Sequence, residues 1–186
     1  MNNSVLKGDV LRGRLMLIAL VVVFALPALA AKLILTMNWY QPGVTNQGEL
    51  VQPSLSTMDF SLPQPEEPQW RLAYVLPKKC TEFCQKQLYL LQQSHISLGK
   101  YKTRVMPTVF VSIDSDTSQL GDYVFAQVSV DDKLTNHFPE QEFVIIDPLG
   151  QFVMHYPKLE KQGLLISQSK GMLADFRKLL KLSRVG

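Results

Sequence analysis

Two cysteines, Cys80 and Cys84, are the only thiols in this chain of 186 residues, and they stand four apart in the stretch PKKCTEFCQKQ. C-x-x-x-C serves three kinds of chemistry: a structural disulfide, a redox dithiol or a clamp for a soft metal ion. In regular helix, residues at i and i+4 share one face a turn apart, so both sulfurs can address one ion. Thiolates are soft ligands and select Cu(I) in particular. If Cys80 instead lies in the loop before the helix, the pair can close a disulfide. A bridge across so few residues removes little unfolded-state entropy, which weakens the purely structural reading. The helix reads from about Thr81 to Leu98. Its apolar stripe is Cys84, Leu88, Leu91, His95 and Leu98, and Gly99 is its natural stop. This places Cys84 on the buried face and leaves Cys80 more exposed, the layout of an attacking thiol with a resolving partner behind it. The positive end of the helix dipole favours a thiolate, as do Lys78 and Lys79, while Glu82 opposes it.

A Cu(I) site usually takes a third ligand, and the chain has three histidines. His95 lies three turns beyond Cys84, roughly 16 Å at ~1.5 Å per residue, too far to share an ion. It reads as a buried, hydrogen-bonded side chain. His137, in the TNHFPEQ segment before the apolar run FVIID, belongs to a loop expected to return beside the cysteine helix. The candidate metal set is therefore Cys80, Cys84 and His137, with a plain surface role for His137 as the alternative. His155, Met106 and Met154 read as packing or surface residues. Asp114 and Asp116 in SIDSDTS read as loop carboxylates, because a calcium loop needs a glycine and a terminal glutamate that are missing here. The chain has no zinc-ligand spacing, no phosphate-cradling glycine loop and no nucleophile elbow.

These residues need a scaffold. WRLAYVLP, ended by Pro77, reads as a buried strand feeding the cysteine helix. RVMPTVFVSID and YVFAQVSV read as two further strands, and EFVIIDPLGQFVMHY as a hairpin turning at Pro148–Gly150. KGMLADFRKLLKLSR closes the chain as an amphipathic helix. The order strand, helix, strand, strand, hairpin, helix predicts an α/β fold of thioredoxin-like type, a mixed sheet with flanking helices over residues 70–186. Residues 38–69 carry many prolines and read as a tether, with possible short strands in GELVQP and MDFSL.

Upstream, RLMLIALVVVFALPALAAKLILTM supplies about the 20 apolar residues of a spanning helix, placed at 15–37. Trp39 and Tyr40 follow where an interfacial aromatic belt would stand. A cleaved signal peptide ending near Ala28-Leu29-Ala30 is the competing reading; such cleavage would leave the apolar AKLILTMNWY as the new terminus. Lys7, Arg12 and Arg14 precede the apolar run, and residues 33–70 hold no Lys or Arg, so the N-terminus (1–14) is expected in the cytoplasm and the remainder outside. In a bacterium, outside the inner membrane is the periplasm, where disulfides form. The formal net charge of +3 comes entirely from the first 32 residues. A charge-balanced domain has no electrostatic footprint for nucleic acid, which excludes that class of partner.

Taken together, the apolar leader, C-x-x-x-C after a strand, a late histidine and the VIIDPLGQF turn resemble the Sco/SenC copper-chaperone family. The stretches NQGELVQP, WRLAYVLPKKCTEFCQKQLYLLQQ, FVIIDPLGQFVMHYP and GMLADFRKLLKLSRVG resemble, more closely, small bacterial membrane proteins associated with cytochrome c oxidase biogenesis. The resemblance implies Cu(I) delivery, or thiol reduction, for the oxidase copper centre. Its partners would be the lipid bilayer and oxidase subunits or other assembly factors. Cys80 and Cys84 would carry the chemistry as Cu(I) ligands or as a thiol–disulfide oxidoreductase pair, and His137 would match the family histidine. Two departures stand out: Gln85 follows the second cysteine where Sco-type sequences usually have proline, and His137 is ten residues before Asp147, further than in that family. A non-catalytic assembly scaffold with a structural disulfide and a general disulfide reductase are the other readings.

Overall fold

The computed structural model describes residues 3–37, 46–64, 67–121 and 123–185. The chain divides into two compact units, residues 1–44 and 45–186. Among the described residues the first is a single helix, α1 (Asn3–Thr36), with Pro27 inside it. Its stretch Arg12–Ile34 has a mean hydropathy of 2.6 and is long and apolar enough to cross a membrane. Side chains there are exposed almost throughout, so no protein core accounts for their apolar character. The helix also runs through most of the expected polar N-terminus. Trp39 and Tyr40, the expected aromatic belt, lie outside the described residues, as do tether residues 41–45 and Pro65.

The second unit is built from β1 (Glu49–Ser56), β2 (Trp70–Val75), α2 (Glu82–Ser97), β3 (Val105–Val111), β4 (Ala126–Ser129), α3 (Asp132–His137), β5 (Phe143–Ile146), β6 (Gln151–Tyr156) and α4 (Leu165–Leu182). The strands form one six-stranded sheet in the order β1-β6-β5-β2-β3-β4. β2, β3 and β4 are parallel neighbours, with α2 crossing from β2 to β3. β5 runs antiparallel to β2, β6 to β5 and β1 to β6. The sheet is therefore mixed, with helices on its faces, as a thioredoxin-like arrangement requires.

Strand alternation sorts the core onto two faces. Leu72, Tyr74 and Leu76 point to the first, where Cys84, Leu88 and Leu91 of α2 and Met172, Phe176 and Leu180 of α4 cover them. Ala73 and Val75 point to the second, under Phe60, Leu62, Leu134 and Phe138. The β5–β6 pairing shifts register between Ile145 and Ile146, so Met154 faces one cluster while Phe152 faces the other.

Three local readings change. MDFSL does not extend: Thr57–Phe60 forms a 3-10 turn, closed by Asp59 Oδ2 accepting from the Ser56 amide at 2.7 Å. TNHFPEQ is not all loop, because Asp131 caps α3 by accepting from the Leu134 amide at 3.1 Å. α4 begins at Leu165, ahead of KGMLADF. The GELVQP stretch becomes β1, and its approach is clamped to the domain: buried Asp175 of α4 accepts from the Gln47 and Gly48 amides at 2.7 and 3.1 Å and from the Tyr156 hydroxyl at 3.1 Å. Gly99 ends α2 at φ +59°, the left-handed conformation a side chain resists.

Candidate redox site

Cys80 and Cys84 are joined in a disulfide, with Cα atoms 5.1 Å apart. α2 begins at Glu82 with Thr81 as its N-cap, so Cys80 belongs to the loop and Cys84 to the first helical turn. This is the geometry in which a pair four apart can bridge. Cys84 is fully buried in the first core cluster, and Cys80 retains 8% of its surface. The asymmetry expected of an outer and an inner sulfur is present, though the outer one is only narrowly open.

The cysteine loop is fixed from below by the segment that follows β3. The Asp116 amide donates to the Pro77 carbonyl at 3.0 Å. Asp116 Oδ2 in return accepts from the Cys80 amide at 3.0 Å, while its Oδ1 accepts from the Ser118 hydroxyl at 2.6 Å and the Ser118 amide at 3.1 Å. The Ser118 hydroxyl, then the Cys80 and Ser118 amides, hold Asp116 below the usual carboxylate range. The Ser115 hydroxyl donates to the Leu76 carbonyl at 3.0 Å. Asp116 is thus more than the plain loop carboxylate that its sequence context implies. Its signal was faint: an Asp-x-Ser turn just after a strand that must run parallel to the cysteine strand.

One charge expected to favour a thiolate, Lys78, and the one expected to oppose it, Glu82, have other partners. Lys78 Nζ pairs with Asp114 at 3.1 Å, and this bond and charge raise the lysine above its ordinary value, with Glu140 and Asp132 adding to it. Glu82 pairs with Lys86 at 2.6 Å, which lowers the glutamate. Both pairs are exposed and contribute little to stability. Their effect is local: neither charge acts alone on the sulfurs.

The loop before β5 does return to this end of the sheet. Val75 and residues 141–142 exchange backbone hydrogen bonds of 2.8 and 3.0 Å. Behind them the Tyr74 hydroxyl donates to Gln87 Oε1 at 2.8 Å, and Gln87 Nε2 donates to the Gln141 carbonyl at 3.0 Å. Burial, with the Glu140 charge second, pushes the Tyr74 phenol far up, so it stays a neutral donor. This buried chain ties β2, α2 and the loop together beneath the disulfide.

His137 does not reach the cysteines by that route. It is the last residue of α3, and its ring meets Phe60 edge-on at 5.6 Å. Phe60 belongs to the second face, whereas Cys84 belongs to the first. Leu134 and Phe138 dock α3 onto that second face, and His137 follows them. Among the described residues, no group of three or more His, Cys, Asp or Glu side chains is placed to hold a metal ion. Cys80 and Cys84 are therefore brought together as expected, and the third proposed ligand is not brought to them. His95 is half-buried, its Nε2 2.9 Å from the Val105 carbonyl. His155 lies between two carboxylates, 3.1 Å from Glu142 and 3.6 Å from Glu49.

Comparison with known proteins agrees with this architecture. Residues 70–183 match the family described as transmembrane-like, thioredoxin-like, C-terminal domain. No curated protein matches the sequence. Similar solved structures include apo Sco1 of Thermus thermophilus, at 14% identity and a TM-score of 0.49, covering 75% of this chain and 99% of that one. Copper-bound ScoI of Arabidopsis thaliana has 15% identity and a TM-score of 0.42, covering 60% and 86%. Peroxiredoxin Q of Xanthomonas campestris has 15% identity and a TM-score of 0.43, covering 61% and 81%. The assignment rests on the family match, which takes in every strand from β2 to β6 and the whole cysteine helix: the chain belongs to the transmembrane-like, thioredoxin-like family through its C-terminal domain.

Proposed function

We propose that this protein is a membrane-anchored thiol–disulfide factor that assists cytochrome c oxidase assembly by keeping a client copper site reduced. Its N-terminus would lie in the cytoplasm and residues 46–185 on the periplasmic side of a bacterial inner membrane. The observation that carries the reading is the Cys80–Cys84 bridge itself, set at the head of α2 with one cysteine narrowly open to solvent and the other fully buried. In the reduced form, the Cys80 thiolate attacks a client disulfide, forms a mixed disulfide and releases one client thiolate. The Cys84 thiolate then attacks the Cys80 sulfur, closes the bridge and releases the second client thiolate. Two electrons pass to the client, and a dithiol donor must reduce the pair again.

Delivery of Cu(I) as cargo is the narrower form of the same proposal. Two thiolates could hold the ion by themselves, but the geometry supports thiol exchange better, because His137 packs on the other face of the sheet. A non-catalytic scaffold is the second reading. It is favoured by one observation, the 8% exposure of Cys80, which is low for a nucleophile.

The test uses the full chain. Oxidase copper content and activity are measured in cells producing Cys80→Ser at unchanged protein level. Loss of both supports a thiol-based role, and retention of both leaves the scaffold. An anaerobic Cu(I) titration of the reduced, detergent-solubilised protein against a chromophoric chelator then separates the two thiol roles. One tightly held ion lost in Cys80→Ser makes the protein a carrier, with His137→Ala reporting on a third ligand. No competitive binding leaves thiol exchange.

A further inference from the structure

At the other end of β2, on the face away from the cysteines, stands a charge with no counter-ion among the described residues. Arg71 is 4% exposed. Its Nη2 donates to the Pro63 carbonyl at 3.2 Å, and among the described residues it forms no ion pair. A guanidinium offers five N–H donors in a planar fork suited to a carboxylate. A buried ion left without a partner is costly, so native proteins seldom keep one idle. Burial lowers this guanidinium from its ordinary value, in keeping with that cost.

The guanidinium lines an open cleft of about 440 Å³, within the ordinary range for small-molecule sites. Met106, Pro63 and Val128 give it apolar walls, and Thr108, Gln69 and Gln64 add polar groups. The Thr108 hydroxyl already donates to the Met106 carbonyl at 3.2 Å, so towards a ligand it acts as an acceptor. Gln64 is engaged with Thr57. Glu67 lines the cleft from an exposed position and forms no ion pair with Arg71. The cleft thus offers one fixed positive charge, a carboxylate at its edge and apolar walls. A doubly charged phosphate is badly matched to that balance, whereas a monoanion on an apolar body is well matched.

We infer that this cleft is a binding site for a small organic carboxylate, held by paired hydrogen bonds from the buried guanidinium of Arg71, with its apolar body against Met106 and Val128. The site is separate from the cysteine pair and stands whether or not the redox reading does.

The test is a titration of the detergent-solubilised full chain with benzoate, followed by amide resonances of β2, β3 and β4, with inorganic phosphate as comparator. The expected result is saturable shifts at Arg71, Thr108 and Val128, with phosphate at least about tenfold weaker. Arg71→Met should lose at least about tenfold in benzoate affinity. Without ligand it should unfold at the same temperature as the parent or higher, since a methionine needs no counter-ion. If Arg71→Met fails to fold, Val128→Asp decides: a new carboxylate in the cleft should abolish benzoate binding. Absence of saturable shifts in the parent, or equal affinity in the folded Arg71→Met protein or in Val128→Asp, would overturn the proposal. Preference for phosphate would overturn the ligand class.

Discussion

β2 joins two regions that treat polar groups in opposite ways. Around its C-terminal end the chain answers its own donors and acceptors: the Cys80 amide donates to Asp116, the Leu76 carbonyl accepts from Ser115, and Tyr74, Gln87 and Gln141 form a continuous chain. Near its N-terminal end Arg71 gives one hydrogen bond and lines a cleft. The contrast separates two ways of building a site. Around the disulfide, satisfied groups fix the position of two sulfurs, and reactivity comes from the covalent bond. Around Arg71, a guanidinium with one hydrogen bond lines a cleft, and the proposed ligand would take donors that the protein leaves open.

The largest effect should come from breaking the first region at its covalent bond. Cys80→Ser is expected to abolish thiol–disulfide exchange outright, measured as reduction of a model disulfide by the prereduced protein. It should also remove about 2 kcal/mol of unfolded-state constraint on a loop this short, read by denaturant unfolding. Tyr74→Phe comes next: it strands the buried Gln87 oxygen, so a loss of about 1–3 kcal/mol is expected in the same assay. Asp116→Ala should be smaller. It removes a charged acceptor from the Cys80 amide, and if that bond favours the closed loop the disulfide becomes easier to reduce. The expected shift, to a less negative potential, is read in glutathione buffers. A shift to more negative potential would mean that Asp116 holds the reduced loop instead.

The smallest effect concerns pH. Asp116 is depressed in the folded protein, so its contribution is present above the unfolded aspartate value and is lost as pH falls through the lower folded value. The Cys80 and Ser118 amide resonances should therefore hold steady from neutral pH to below the ordinary aspartate range before they move. Movement already at mildly acid pH would show that the carboxylate is not anchored as described. At the opposite end of β2 the Arg71 guanidinium should not titrate, because it keeps its proton across this range.

Much of the architecture was legible because it rests on periodicity. WRLAYV, VMPTVFV and FVII have the apolar density of buried strands, and the Cys84–Leu88–Leu91 spacing identifies the inner face of α2. The loop placement of Cys80, on which the bridge depends, is open in the sequence and is set by Thr81, the N-cap at which the helix starts. The TNHFPEQ segment that holds His137 reads as loop in the sequence; the Asp131 cap makes it a short helix, and the apolar pair Leu134 and Phe138 turns it to the second face. Asp116 and Asp175 were missed for a different reason. Each acts through backbone amides far away in sequence, and no local pattern encodes such partners. Arg71 carried a readable sign, since an arginine inside a strand whose neighbours are all apolar must either be paired or face an opening.

The most direct measurement of the central claim is the reduction potential of the Cys80–Cys84 pair in the full-length, detergent-solubilised protein, equilibrated with glutathione or stronger dithiol buffers. A working exchange pair should have a potential above about −300 mV, within reach of biological dithiols. A potential below about −300 mV would contradict the account, because it marks a structural bridge that stays closed, and the protein would then act as a scaffold.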